Sequence, residues 1–293
     1  MISSETRPSE KRALSAYLIS LLLFGSNGIV ASRISLSSSE VVLMRTLIGS
    51  VVLLAVFLLS GRRFTFMLHK RQLLAIAVSG VSMGASWMFL FEAYTKVGVS
   101  IASLLYYCGP VIVMALSPLL FGEKLTKWRV TGFAAVLAGA FLVNGQAAAG
   151  GLSAWGLLCG ALSAVTYAVM VIANKRAVDI PGLENTTIQL VTAFFTVAAF
   201  SAFRGGLFFE IPTADLIWVL IIGVVNTSAG CLLYFSSIGH LPVQTVAVCG
   251  YLEPLCAVVL SVLILGEVML PLRIVGAVLI IGGAAFAELA GRR

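Results

Sequence analysis

Glu253 stands in the middle of a long apolar run, directly before Pro254. A carboxyl inside a hydrophobic segment is costly and by default marks a functional position. At mid-depth it suits substrate binding or proton exchange. Pro254 brings no N–H, frees a carbonyl one turn back and bends the helix that carries it. Arg45 and Glu92 also fall inside apolar runs. A mutual ion pair, a place at an entrance, or side chains reaching out to the polar boundary would each accommodate them. Asn27 and the cluster Asn226-Thr227-Ser228 add neutral polar groups, which either face a pore or stitch helices together. The aromatic set is larger. Trp87, Phe91 and Tyr94 are spaced by four and three and so share one helix face. Tyr107, Tyr167 and Tyr251 lie deep in their runs, and Tyr234 stands in another. Trp128, Trp155 and Trp218 sit near run ends, where aromatic belts meet the bilayer interface. Rings with a polar tip suit a cavity for amphiphilic or aromatic solutes, and equally suit packing.

Nothing in the chain resembles a catalytic constellation. His69 and His240 fall in loops with no Ser or Cys partner in sight, and there is no Walker A sequence. Cys108, Cys159, Cys231, Cys249 and Cys256 all lie in apolar runs without metal-ligand spacing. Buried free thiols are expected, with no disulfide, metal or cofactor, and no enzyme activity.

These groups need elements to position them, and composition says which. Sixty percent of the 293 residues are hydrophobic and 11% are charged, with a mean hydropathy of +1.06. Soluble domains hold about 45–50% apolar and about 25% charged residues, so polar surface is too scarce here for a water-soluble body. A span needs about 20 apolar residues. Reading between breaks predicts ten, near 13–31, 38–60, 71–95, 99–121, 127–144, 152–174, 186–203, 214–237, 243–265 and 271–289. Barrel strands would be half as long and would alternate. The first run follows Lys11-Arg12 like a signal peptide, but it is long for one and has an internal counterpart.

The net charge of +7 reflects loops and not a nucleic-acid face, because the basic residues are scattered between apolar runs. Arg62-Arg63, Lys70-Arg71, Lys124, Lys127, Arg129 and Lys175-Arg176 fall on one side, with both terminal clusters. Only Arg33, Lys96, Arg204 and Arg273 fall on the other. By the positive-inside rule both termini are cytoplasmic.

The chain also repeats itself. Shifted by 144 residues, Tyr107 falls on Tyr251, Pro110 on Pro254, Gly122-Glu123 on Gly266-Glu267, Gly132 on Gly276 and Gly139 on Gly283. A fixed offset marks an internal duplication. Five spans per copy is an odd number, so the second copy enters the membrane inverted, as in many secondary transporters. Both Gly-Glu carboxylates are expected to cap the helices that follow them. Gly80/Gly84 and Gly156/Gly160 are expected to permit close helix packing.

The doubled Pro, Gly-Glu and Gly pattern over ten spans resembles the EamA type of the drug/metabolite transporter superfamily, over nearly the whole chain. Within it, the chain is most similar to bacterial amino-acid exporters of the YddG type. The resemblance implies an all-α membrane protein of ten transmembrane helices in two inverted five-helix repeats. It implies a cytoplasmic tail (1–12), a first repeat (13–144), a linker (145–151) and a second repeat (152–290). It further implies export of amino acids, aromatic or bulky ones included, and related metabolites across the bacterial inner membrane by alternating access. Transport of drugs or of sugar- or phosphate-linked metabolites is the alternative; a channel or a membrane-embedded enzyme ranks below it. The third, fourth, eighth and ninth helices should contribute most to the cavity, and the fifth and tenth should be peripheral. The expected cavity residues are Asn27, Trp87, Phe91, Tyr94, Tyr107, Tyr167, Asn226, Tyr234, Tyr251 and Glu253, with Pro110 and Pro254 as hinges. The expected partners are a small-molecule substrate, the lipid bilayer and, as a candidate coupling ion, protons.

Overall fold

The computed structural model describes residues 10–61, 64–65, 69–97, 99–144, 153–180, 182–203, 209–265 and 271–290. The Arg62-Arg63 pair, the 145–151 linker, Arg204, the second Gly-Glu element (Gly266-Glu267) and the terminal basic residues Arg7, Arg292 and Arg293 lie outside them. Among the described residues every regular element is helical. The first half holds α1 (Glu10–Gly25), α2 (Asn27–Ala31), α3 (Ser38–Leu59), α4 (Lys70–Val97), α5 (Val99–Tyr106), α6 (Cys108–Phe121) and α7 (Lys127–Asn144). The second holds α8 (Ala154–Asn174), α9 (Gly182–Phe203), α10 (Leu216–Ile221), a π-helical stretch (Ile222–Ala229), α11 (Gly230–Ile238), α12 (Val243–Cys249), α13 (Leu252–Leu265) and α14 (Pro271–Ala290). Among the described residues seven stretches are long and apolar enough to cross a bilayer: Glu10–Ala31, Ser38–Leu59, Lys70–Val97, Ala154–Asn174, Gly182–Phe203, Thr213–Ile238 and Val243–Ile264.

Local chemistry sets several boundaries. Ser37 starts α3 with a capping box: its hydroxyl accepts from the Glu40 N–H, and the Glu40 carboxylate accepts from the Ser37 N–H at 2.7 Å. Ser153 caps α8 through the Gly156 N–H. Gly122 ends α6 in the left-handed conformation, φ 67°, which costs glycine no Cβ clash.

Packing partners are exchanged by the 144-residue shift. α1 packs on α11 and α13; its counterpart α8 packs on α4 and α6. α3 packs on α9, and α7 on α14. A Cβ on Gly132 would stand 2.6 Å from the Gly283 carbonyl oxygen, and one on Gly139 would stand 2.5 Å from that of Gly276. This crossed pairing means that α7 and α14 run antiparallel with their backbones in contact. Gly80 and Gly84 give α4 the same close approach to Gln189 and Ala193 of α9.

The Gly122-Glu123 element does something other than expected. Glu123 does not cap α7, the helix that follows. Its Oε1 accepts from the Val243 N–H at 2.7 Å and its Oε2 from the Gln244 N–H at 3.1 Å, so it caps α12 in the other half. Those first N–H groups have no partner inside their own helix, and a carboxylate also complements the positive helix end. Gln244 returns the link by accepting from Arg129 Nη1 at 2.6 Å and donating to Ser117 Oγ at 3.1 Å. Lys175 donates to the Leu241 carbonyl beside it. Burial pushes the Lys175 ammonium below the usual lysine range, and Glu123 pulls it part of the way back. Glu123→Ala should cost about 1–2 kcal/mol of stability, the upper half of the N-cap range. Glu123→Gln, which keeps an acceptor oxygen, should recover part of it. Thermal unfolding in detergent checks both.

Candidate functional site

A set of buried polar groups centres on the π-helical stretch. Its Thr227 hydroxyl donates to the Ile222 carbonyl and Ser228 to Gly223, each five residues back. Such bulges recur at functional sites because they re-aim side chains. Here Thr227 Oγ1 accepts from Arg45 Nε at 2.9 Å. The Arg45 guanidinium carbon lies 4.5 Å above the Trp87 ring, within cation–π range.

Arg45 opens onto a cavity of about 440 Å³. Its walls come from both halves of the chain. Trp87, Phe91 and Tyr94 of α4 form one side, as their shared helix face predicts. Tyr107 lines it at the α5–α6 break, with Tyr106 beside it. Tyr167 of α8 and Tyr234 of α11 line another side with their hydroxyls 3.3 Å apart. Phe24 and Asn27 flank the α1–α2 break, and Glu253 comes from the first turn of α13. The Asn27 side-chain oxygen Oδ1 is buried and has no hydrogen-bond partner among the described residues. The first, second and sixth helical runs thus contribute alongside those anticipated, while α7, α9 and α14 contribute no described lining residue.

Two expected cavity residues stand elsewhere. Asn226 is 1% exposed; its Nδ2 donates to the Leu23 carbonyl at 2.7 Å and to Ser26 Oγ at 2.8 Å. It holds the π stretch to the α1–α2 break, adding a donor to a Leu23 carbonyl that also accepts from Ser26. Tyr251 is fully buried behind the wall, its ring 5.9 Å from Tyr107 and its hydroxyl donating to the Tyr107 carbonyl. Arg45 and Glu92 do not pair: Glu92 accepts from Trp155 Nε1 at 3.1 Å. Gln189, the repeat counterpart of Arg45, is 0% exposed and bonded to Ser79 and Asn185. Cys108, expected to be buried, is exposed. Arg45, Phe24 and Tyr106 are cavity residues that spacing did not select; the one available signal was the charge on Arg45 within a span.

The prolines act where expected on the backbone. The helix breaks at Tyr107 before Pro110 and at Gly250-Tyr251 before Pro254. A proline cannot bond to the carbonyl four residues back and its ring crowds it; those carbonyls belong to Tyr106 and Gly250. The two breaks are repeat-equivalent and touch through the Tyr251–Tyr107 hydrogen bond.

An aromatic-lined cavity of this size at the meeting of two copies has the form of a small-molecule pocket. The sequence profile of the EamA-like transporter family matches residues 11–145 and, a second time, residues 154–288.

The chain belongs to the EamA-like transporter family. As an EamA-like transporter it is a multi-pass membrane protein with a small-molecule substrate. It is 27% identical to the transporter YxxF of Bacillus subtilis, over 92% of this chain and 86% of that one. A protein of Streptantibioticus cattleyicolor named as a probable terminal-alkyne amino-acid exporter is 29% identical over 73% of this chain and 72% of its own. The aromatic amino acid exporter YddG of Ancylobacter novellus is 27% identical over 70% and 72%. One protein of known crystal structure shares the fold with a TM-score of 0.82 at 22% identity, over 98% of this chain and 100% of its own.

Proposed function

We propose that this EamA-like transporter is a secondary exporter of amino acids, aromatic or bulky ones included, and of related small metabolites. It works by alternating access in the bacterial inner membrane, with both termini cytoplasmic. The observation that carries this reading is the 440 Å³ aromatic-walled cavity, which falls in the roughly 300–1,000 Å³ range of small-molecule sites. Its lining includes the rings of Trp87, Phe91, Tyr94, Tyr106, Tyr107, Tyr167 and Tyr234, the partners an aromatic side chain prefers. Two amino-acid exporters among the relatives favour the same class.

The architecture we infer is ten spans in two inverted repeats, 13–144 and 152–290, adding 99–121, 127–144 and 271–289 to the seven longest runs. The exchanged packing partners and the crossed glycines of α7 and α14 support the inversion. Inversion supplies two related shapes, each open to one side. Phe235 lines both the main cavity and a second pocket of about 230 Å³ near Asn174 and His240. It is therefore our candidate for the barrier between the cavity and the opposite face.

Purified protein in liposomes should give saturable counterflow of phenylalanine, tryptophan or leucine, with a pH gradient testing proton coupling. No flux of any amino acid rejects the substrate class; flux that never saturates makes it a channel. An aromatic wall would also receive hydrophobic drugs, so the panel includes a lipophilic cation. Phosphorylated metabolites would want several cations, and Arg45 is the single one among the described lining residues. The helix breaks serve as bending points in this scheme. Pro110→Ala and Pro254→Ala should each slow counterflow about tenfold, the effect of ~1.4 kcal/mol on the conformational step. Unchanged rates in both variants remove the hinge.

A further inference from the structure

Arg45 and Glu253 are the charged side chains of the cavity among its described lining residues. They carry opposite charge in one apolar space, yet no ion pair joins them in the described structure. The Arg45 Nε is taken by Thr227 and its face by Trp87. Its two terminal nitrogens have no described protein partner, and they form the fork that matches a carboxylate in a bidentate manner. The Glu253 carboxyl likewise receives no described hydrogen bond. Separated charges of opposite sign are costly in an apolar cavity, and the Nε–Thr227 bond and the Trp87 stack account for only part of the Arg45 guanidinium.

Their positions in the repeat point the same way. The counterpart of Arg45 is Gln189, sealed in a polar network with Ser79 and Asn185. The counterpart of Glu253 is Gly109, which packs against the Tyr167 ring. Groups that serve the duplicated architecture recur in both copies, as Tyr107/Tyr251 and the crossed glycines do. These two charges break the symmetry, as a site for an asymmetric ligand must. Asn27 lines the same cavity from α2, which packs against the α13 helix of Glu253.

We propose that the cavity holds its substrate as a zwitterion, with the Arg45 guanidinium taking the carboxylate and the Glu253 carboxylate taking the ammonium. The aromatic wall receives the side chain. The proposal rests on the amino-acid reading above and deepens it: Arg45 and Glu253 set specificity for substrates that carry both charges.

Competition against labelled phenylalanine counterflow by the full chain in liposomes tests it. The competitors are phenylalanine, phenethylamine, which lacks the carboxylate, and 3-phenylpropionate, which lacks the ammonium. The wild type should reject each one-charge analogue by roughly ten- to hundredfold, the weight of one charged hydrogen-bonding partner. Glu253→Gln should raise 3-phenylpropionate relative to phenylalanine, and Arg45→Gln should raise phenethylamine. The wild-type ranking alone decides the matter if either variant fails to fold. Wild-type counterflow that all three compounds inhibit equally overturns the clamp while leaving the amino-acid reading intact. Variants that fold, transport and keep the wild-type ranking overturn it as well. Absence of any wild-type phenylalanine flux rejects the amino-acid reading, and the clamp with it.

Discussion

Trp87→Ala should weaken the binding of aromatic amino acids by about thirtyfold, a loss of ~2 kcal/mol of the kind seen when a central aromatic anchor is truncated. Trp87 reaches the cavity from α4 and carries the Arg45 guanidinium 4.5 Å above its ring. Truncation removes a flat apolar surface from the substrate side. It also removes the platform that fixes the plane of Arg45, leaving only the Nε bond to Thr227. Trp87→Phe keeps a π-face, though a weaker one than indole, and should recover part of the affinity. The measurement is the substrate concentration at half-maximal counterflow for phenylalanine and for alanine. The loss should be larger for phenylalanine, which uses the ring directly. An equal loss for both would mean that Trp87 acts only by holding Arg45 or the helix in place.

Gly139→Leu should destabilise the protein by about 3 kcal/mol, the upper end of the overpacking range. A Cβ at this position meets the Gly276 carbonyl oxygen at 2.5 Å and Ile280 Cγ1 at 2.9 Å. A side chain can rotate away from such a contact; a helix backbone cannot, so α7 and α14 must separate. Gly282 supplies the control from the same interface's partner helix, because a Cβ there meets nothing within 4 Å. Gly282→Leu should leave the unfolding temperature in detergent nearly unchanged while Gly139→Leu lowers it by several degrees. Since neither helix lends a described residue to the cavity, the surviving folded fraction of Gly139→Leu should bind substrate with unaltered affinity. A large drop in affinity would show that this crossing shapes the cavity after all.

Much of this protein is written along the chain. Long apolar runs with few charges can only be buried in a bilayer as helices, because backbone polar groups there must be satisfied within the segment. The duplication is visible because Tyr107/Tyr251, Pro110/Pro254 and the glycines recur at one offset. The prolines break their helices because the missing N–H and the ring act on the residue's own turn, with no help from elsewhere. Trp87, Phe91 and Tyr94 face one way for an equally local reason, the helical period.

What spacing cannot say is which neighbour a face meets. Asn226 and Glu253 read alike in the sequence, each a polar residue deep in a span. Asn226 turns to the Leu23 carbonyl and the Ser26 hydroxyl at the α1–α2 break and is consumed there; Glu253 meets a void. Glu123 passes over its own following helix for the free N–H groups of α12, more than a hundred residues away. Arg45 and Gln189, equivalent in the repeat, part company because one faces the cavity and the other a sealed network. The sequence by itself determined the membrane, the helices, the two copies and the places where the proline-bearing helices break, since each follows from local covalent and periodic constraints. Only the tertiary structure decided which polar groups satisfy one another, and so which two charges are left facing the cavity. Hydrogen bonding and desolvation are settled between elements that the chain order does not place side by side.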